Sequence, residues 1–137
     1  MNNDLKRILI VDDEEAILFA FKRVLDAPGL EVHTAETMAQ ALDLIEQNAY
    51  AVVIADLRLS GTTCDDGYTV IKVVAEKQEK CKIIVMTAYG DSTIREKVFS
   101  LGADFYLGKP VSPYKVKDLI VSMGVYESLE QLANSRV

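Results

Sequence analysis

The sequence predicts an α/β domain built on a doubly wound sheet of five parallel strands. Short β-rich apolar runs alternate with segments of helical period along the whole 137-residue chain. Several of these runs are apolar at every position rather than every second one, which suits strands covered on both faces by helices. Each run also stops abruptly at a polar or charged residue. The length fits one domain, and a composition that is half hydrophobic supplies a core without disulfides or a structural metal.

The first run, Arg7 to Val11, breaks off at Asp12-Asp13-Glu14-Glu15. Ile17, Leu18, Phe21, Val24 and Leu25 then repeat with helical spacing. The acids crowd that helix's first turn, where they favour the positive end of its dipole, and Pro28-Gly29 stops it. Leu30 to Thr34 alternates and reads as a second, more exposed strand, with His33 at its surface. Thr37 is placed to cap a helix carrying Met38, Ala41, Leu42 and Ile45 on one face. Ala51 to Ala55 is the third strand and ends in Asp56. A polar stretch from Ser60 to Gly67 leads to a helix using Val70, Ile71, Val73 and Val74. Lys82 to Met86 is the fourth strand, ending at Thr87; Asp91 or Ser92 caps a helix with Ile94, Val98 and Leu101, and Gly102 closes it. Asp104 to Leu107 is a short fifth strand, followed by Gly108-Lys109-Pro110, and a last helix starts near Pro113.

In open sheets of this kind ligands bind outside the carboxyl ends of the strands, where the strand order reverses. Asp12, Asp13, Asp56, Thr87 and Lys109 all end strands, so residues far apart in sequence are expected at one rim. Three carboxylates in one crevice repel each other unless their pKa values rise or a cation binds. Hard oxygen donors favour Mg²⁺ or Ca²⁺. Mg²⁺ keeps several waters and takes one or two carboxylates plus a phosphate oxygen, so the cluster suits Mg²⁺ with a phosphoryl group. Lys109 would add a point charge and Thr87 a hydroxyl. A carboxylate can itself be the nucleophile, and Asp56, alone at the end of a central strand, is the natural one.

Composition narrows the function classes. No apolar run reaches the roughly 18 residues of a membrane span, and the N-terminus lacks the basic-then-apolar pattern of a secretory signal. The formal charge of -6, with no concentrated Lys and Arg, argues against direct nucleic-acid binding. Cys64 and Cys81 lack metal-ligand spacing and suit a reducing cytosol, so neither a zinc site nor a disulfide is expected. A metal-dependent phosphatase working through an aspartyl-phosphate needs a second acid two residues after its nucleophile, where this chain has Arg58. A flavin carrier needs a hydroxyl- and glycine-rich phosphate loop after the first strand, where this chain has Asp12-Asp13-Glu14-Glu15.

Ile8-Leu9-Ile10-Val11-Asp12-Asp13-Glu14, then Asp56, then Met86-Thr87-Ala88, then Lys109-Pro110 resemble the signature of response-regulator receiver domains. The resemblance covers roughly Lys6 to Met123. It implies a (βα)5 flavodoxin-like fold with strand order 2-1-3-4-5. It implies that Asp56 accepts a phosphoryl group from a histidine kinase or phosphotransfer protein. Asp13, Asp56 and the Arg58 carbonyl would bind Mg²⁺, with Asp12 holding a metal-bound water. Thr87 and Lys109 would contact the phosphoryl oxygens. Tyr106, three residues before the lysine, matches the family's switch aromatic, so that phosphorylation would remodel the face of the fourth helix, fifth strand and fifth helix. Such a domain is a regulatory phosphoacceptor rather than an enzyme acting on others, and cytoplasmic. A downstream protein or an output domain would read it, and a phosphorylation-dependent homodimer is implied by the family alone. Residues 1–124 would form the receiver, and 125–137 a tail or helix extension through Val125, Leu129 and Leu132. That tail is too short for a winged helix or catalytic domain. The output is therefore either a protein contacted by a stand-alone receiver or a domain of a longer regulator or hybrid kinase.

The chain departs from the pattern after Asp56. Ser60 stands where the family usually has proline, and Asp66-Gly67 arrives three residues late through Gly61-Thr62-Thr63-Cys64-Asp65. A tolerated surface insertion is the expected reading. Arg58 and Tyr89 would neighbour the attacking water and are expected to slow hydrolysis of the aspartyl-phosphate. Taken singly, each signal has an ordinary explanation. Asp12-Asp13 could be a helix-start acid pair, Asp56 a turn, Lys109 a solvated lysine and Tyr106 a strand aromatic. Their joint placement at strand ends carries the inference.

Overall fold

The structure, a computed structural model, describes residues 5–59 and 63–126. In chain order it runs β1 (Lys6–Val11), α1 (Glu15–Leu25), β2 (Leu30–Ala35), α2 (Met38–Gln47), β3 (Val52–Asp56), α3 (Asp65–Lys77), β4 (Lys82–Thr87), α4 (Ser92–Leu101), β5 (Phe105–Gly108) and α5 (Pro113–Ser122). The strands form one sheet in the order β2-β1-β3-β4-β5, with every adjacent pair parallel. The expected fold class and strand order are therefore both found.

Side chains alternate across a strand, so the wholly apolar strands divide between two cores. Ile8, Ile10, Val52, Ile54, Ile84 and Met86 face α1 and α5, where Leu18, Phe21, Leu25, Val116 and Ile120 meet them. Leu9, Val11, Val53, Ala55, Ile83 and Val85 face the opposite way, onto Ala41, Ile45, Val70, Ile71, Val74 and Val98 from α2, α3 and α4. β2 is an edge strand and alternates buried with exposed residues. Phe21 is core, and Met38 packs against the core from its rim.

The helix ends follow the local signals. Thr37 Oγ1 accepts the Gln40 N–H at 3.1 Å, and Asp91 Oδ1 accepts the Ile94 N–H at 2.9 Å, which makes Asp91 the cap of α4. Pro113 opens α5 behind Ser112, and Gly102 ends α4 at φ 121°.

Four expectations are corrected. The third strand is shifted one residue onward, so Asp56 is its last paired residue, opposite Met86. The fifth strand likewise starts at Phe105 and ends at Gly108. α3 starts at Asp65 rather than after Gly67, because Asp65 and Asp66 form a first turn favoured by the helix dipole. His33 is not a bare surface residue: its ring is half-buried, with Nδ1 2.7 Å from the Tyr50 hydroxyl and Nε2 3.2 Å from Glu31.

After α5 the chain stays on the core as far as Tyr126, the last described residue. Val125 and Tyr126 are both buried, and the Tyr126 hydroxyl donates to the Leu25 carbonyl at 2.7 Å. Leu129 and Leu132 lie outside the described residues, as do Ser60, Gly61 and Thr62.

Candidate functional site

Register brings the acids together. Val11 pairs with Ala55, so the next residues along, Asp12 and Asp56, sit side by side at the sheet's carboxyl rim. Oxygens of Asp12, Asp13 and Asp56 lie within 4.8 Å of one another, and this is the one group of three or more potential metal ligands among the described residues. Asp12 is fully buried and Asp56 is 6% exposed, while Asp13 opens to solvent. β5 delivers the cation: Thr87 pairs with Gly108, the Lys109 N–H donates to the Thr87 carbonyl at 2.9 Å, and the Lys109–Pro110 peptide is cis.

Lys109 Nζ stands 2.7 Å from Asp12 Oδ2 and 3.4 Å from Asp56 Oδ2. Glu14, which the sequence did not single out, adds a carboxylate 3.9 Å from Nζ and donates its N–H to Asp12 Oδ1 at 2.9 Å. Asp12 thus has one oxygen on the lysine and the other on a backbone amide. Asp13 and Asp56, the latter also accepting from the Arg58 backbone, are the carboxylates left to face a cation. Burial pushes the Asp56 carboxyl above the usual carboxylate range; Lys109 opposes that and the Asp12 charge adds to it. Burial works to lower the Lys109 ammonium, but its bonds to Asp12 and Asp56 outweigh this and its pKa is raised overall.

Thr87 is buried on β4, and its Oγ1 accepts the Tyr89 N–H at 3.2 Å, so its own proton is left to donate. Asp13, Asp56, Arg58, Tyr89 and Lys109 line a cavity of about 290 Å³. Arg58 lies across the Tyr89 ring, 4.1 Å from its centroid, a stacking worth about 0.5–2 kcal/mol depending on desolvation. The Arg58 Nε is buried with no hydrogen-bond partner among the described residues. A larger groove of about 620 Å³ runs between α1 and α2, but it gathers no such ligand cluster among the described residues.

Tyr106 turns in beneath the β4–α4 loop. Its ring packs near Phe99, centroid to centroid 6.4 Å, and its hydroxyl is sealed from solvent without a partner among the described residues. An unpaired buried hydroxyl costs roughly 1–3 kcal/mol. Gly67, the glycine of the displaced Asp-Gly pair, lies against the Leu57 backbone so closely that a Cβ would overlap it. The start of α3 is thereby held against the residue following Asp56. All the site residues expected at the rim are brought there, and Arg58 and Tyr89 are brought together beside them. Glu14 was missed because a helix-start acid gives no sequence signal of which charge it will face.

A family model described as the response regulator receiver domain matches residues 8–121. The chain is 38% identical over 109 residues to the transcriptional regulatory protein SrrA of Staphylococcus aureus, covering 80% of this chain and 44% of that protein. It therefore spans less than half the length of the curated relatives it matches. Among solved structures, it is similar to a CheY-like receiver domain protein from Methanospirillum hungatei JF-1, with a TM-score of 0.78 and 32% identity over 87% of this chain and 93% of that one. It is also similar to the BeF3-activated DrrB receiver domain, with a TM-score of 0.75 and 26% identity over 86% of this chain and 96% of that one. The response regulator DrrB, described as a Thermotoga maritima OmpR/PhoB homolog, aligns at 27% identity and TM-score 0.73 over 85% of this chain and 51% of its own.

Proposed function

The chain belongs to the response regulator receiver domain family, the phosphorylation-dependent switches of two-component signalling, and from that premise we propose that Asp56 is its phosphoryl acceptor, working with Mg²⁺. The observation that carries this is Lys109 Nζ at 2.7 Å from Asp12 and 3.4 Å from Asp56, in a rim where three acids crowd within 4.8 Å. One ammonium offsets one of three charges there, and the remaining oxygen-only donors suit a hard divalent cation. Asp13, Asp56 and the Arg58 carbonyl would hold the ion, with Asp12 holding one of its waters. When bound, Mg²⁺ neutralises charge on the phosphoryl oxygens.

The protein's own residues supply the rest. An Asp56 oxygen attacks the donor's phosphorus, forming an O–P bond as the donor's P–N or P–O bond breaks and that electron pair leaves with the donor. Lys109 and the Thr87 hydroxyl stabilise the transferred oxygens. Thr87 drawn toward them shifts the floor under Tyr106, which links the site to the α4–β5–α5 face. The domain assists its own phosphorylation and dephosphorylation and acts on no other substrate. The donor is a histidine kinase or phosphotransfer protein. The reader is a downstream protein or an attached output domain, with a phosphorylation-dependent homodimer on the same face. The acidic chain makes no direct nucleic-acid contact. The free thiols Cys64 and Cys81 fit a cytoplasmic setting. The receiver comprises residues 1–124, with Val125 and Tyr126 packed on its core.

Incubation with acetyl phosphate, followed by intact mass measurement, should add one phosphoryl group only when Mg²⁺ is present, and Asp56→Asn should add none. A phosphorylated Asp56→Asn protein would refute the assignment. Beryllofluoride with Mg²⁺ should raise the melting temperature, because the ligand favours the native state. Arg58 stacked on Tyr89 covers one side of the cavity, where attacking water must enter. Tyr89→Ala is therefore expected to lose its phosphoryl group several-fold faster, and an unchanged or slower decay would count against that role.

A further inference from the structure

Gly90 lies between two fixed points. Before it, the Tyr89 N–H is bonded to Thr87 Oγ1 and the Tyr89 ring is covered by Arg58; after it, Asp91 caps α4. Its backbone does not require glycine, since the positive-φ glycines among the described residues are Gly29, Gly102 and Gly124. Space does require it. A Cβ on Gly90 would overlap the Tyr106 hydroxyl oxygen, come within 2.6 Å of Tyr106 Cζ and reach 2.9 Å from Thr87 Cγ2. Because the loop is tied on both sides, a side chain at this position must be accommodated by the ring.

Resting on the reading of Thr87 and Tyr106 as the switch pair, we propose that Gly90 is a positioning residue: its bare α-carbon is the seat that admits the Tyr106 hydroxyl beside Thr87. A methyl group there expels the ring from beneath the loop and uncouples it from Thr87. Phosphorylation of Asp56 is expected to persist, since Gly90 is not among the residues that line the cavity with Asp13, Asp56 and Lys109, and its Cβ would approach the methyl of Thr87 rather than its hydroxyl.

The chain has six tyrosines and no tryptophan, so the 137-residue chain labelled with 3-fluorotyrosine gives a readable ¹⁹F spectrum, with Tyr106 assigned through Tyr106→Phe. A neutral soluble gadolinium chelate reports exposure, and Tyr114, at 65% exposed, is the internal reference. In the unphosphorylated wild type the Tyr106 resonance should be protected. In Gly90→Ala it should broaden as Tyr114 does and stop responding to beryllofluoride with Mg²⁺, while acetyl phosphate still phosphorylates Asp56. A Tyr106 resonance that stays protected in Gly90→Ala, or that is as exposed as Tyr114 in the wild type, overturns the proposal. If Gly90→Ala does not fold, Gly90→Ala with Tyr106→Ala should, because the overlap with the ring is gone and only the 2.9 Å approach to Thr87 Cγ2 is left; failure of the double variant places the defect outside the ring and also overturns it. The exposure comparison uses no phosphoryl analogue. Failure of wild-type phosphorylation would therefore strike the function and leave the seat standing, whereas normal phosphorylation with an unmoved ring strikes the seat alone.

Discussion

Lys109 is the residue on which the rim's charge balance turns. Its side chain is 13% exposed and faces an Asp12 that has no exposure at all, so the ion pair is sheltered from the screening that weakens surface pairs. Removing one partner of such a pair leaves an uncompensated buried charge, at a cost of about 3–5 kcal/mol. Lys109→Met should therefore lose about 3 kcal/mol of unfolding free energy in chelator, and adding Asp12→Asn should recover much of it. Urea unfolding in the presence of EDTA measures both, and a loss below about 0.5 kcal/mol would mean that water already screens the pair. Asp56 carries the opposite sign. Its folded pKa is raised by burial, so the folded state binds its proton more readily than the unfolded chain. Its contribution is fully present below the ordinary carboxylate range and is lost as pH rises through the folded value. The proposed phosphoryl acceptor and the buried liability are the same group.

Among the elements, α4 and the segment after α5 mark two extremes. Val98 is the one buried residue of α4, so this helix is the one that can shift with least loss of packing. It is also the helix whose start Gly90 and Asp91 define. Val125 and Tyr126, after α5, are anchored instead. Tyr126 covers the C-terminal end of α1, with its hydroxyl on the Leu25 carbonyl and Lys117 Nζ 5.5 Å from its ring centroid. Tyr126→Phe should cost about 1 kcal/mol for the lost hydrogen bond and Tyr126→Ala about 3 kcal/mol for the cavity as well, both read from thermal or urea melts. A silent Tyr126→Ala would show that the segment merely rests on the fold.

For the whole molecule, one of the two cores, the one under α2, α3 and α4, holds two buried groups that titrate at high pH. Cys81, at the entry to β4 in the core under α2, α3 and α4, has its thiol pushed up from 9.0 to about 12 by burial. Tyr50, hydrogen-bonded to His33, is raised from 10.0 to about 12 for the same reason. Both folded values exceed the unfolded ones. The stability these groups contribute is intact below pH 9 and falls as pH rises toward 12. Cys81→Ala should flatten the decline of melting temperature across that interval, whatever its effect at neutral pH. An unaltered slope would mean that the thiolate is accommodated without loss.

The sequence by itself determined what is local. Apolar runs such as Val52 to Ala55 marked buried strands, and the capping chemistry of Thr37 and Asp91 marked helix starts; each depends on a few neighbouring residues and the period of one element. Strand ends rich in Asp, Thr and Lys foretold a shared rim, because a parallel sheet stacks its carboxyl ends together. What only the tertiary structure decided depends on distances between elements, which periodicity does not encode. That Lys109 lies closer to Asp12 than to Asp56, that Arg58 lies across Tyr89, and that Gly90 leaves room for the Tyr106 hydroxyl all follow from register and side-chain packing between elements distant in sequence. A glycine or a helix-start acid reads identically in either role until the atom it faces is known.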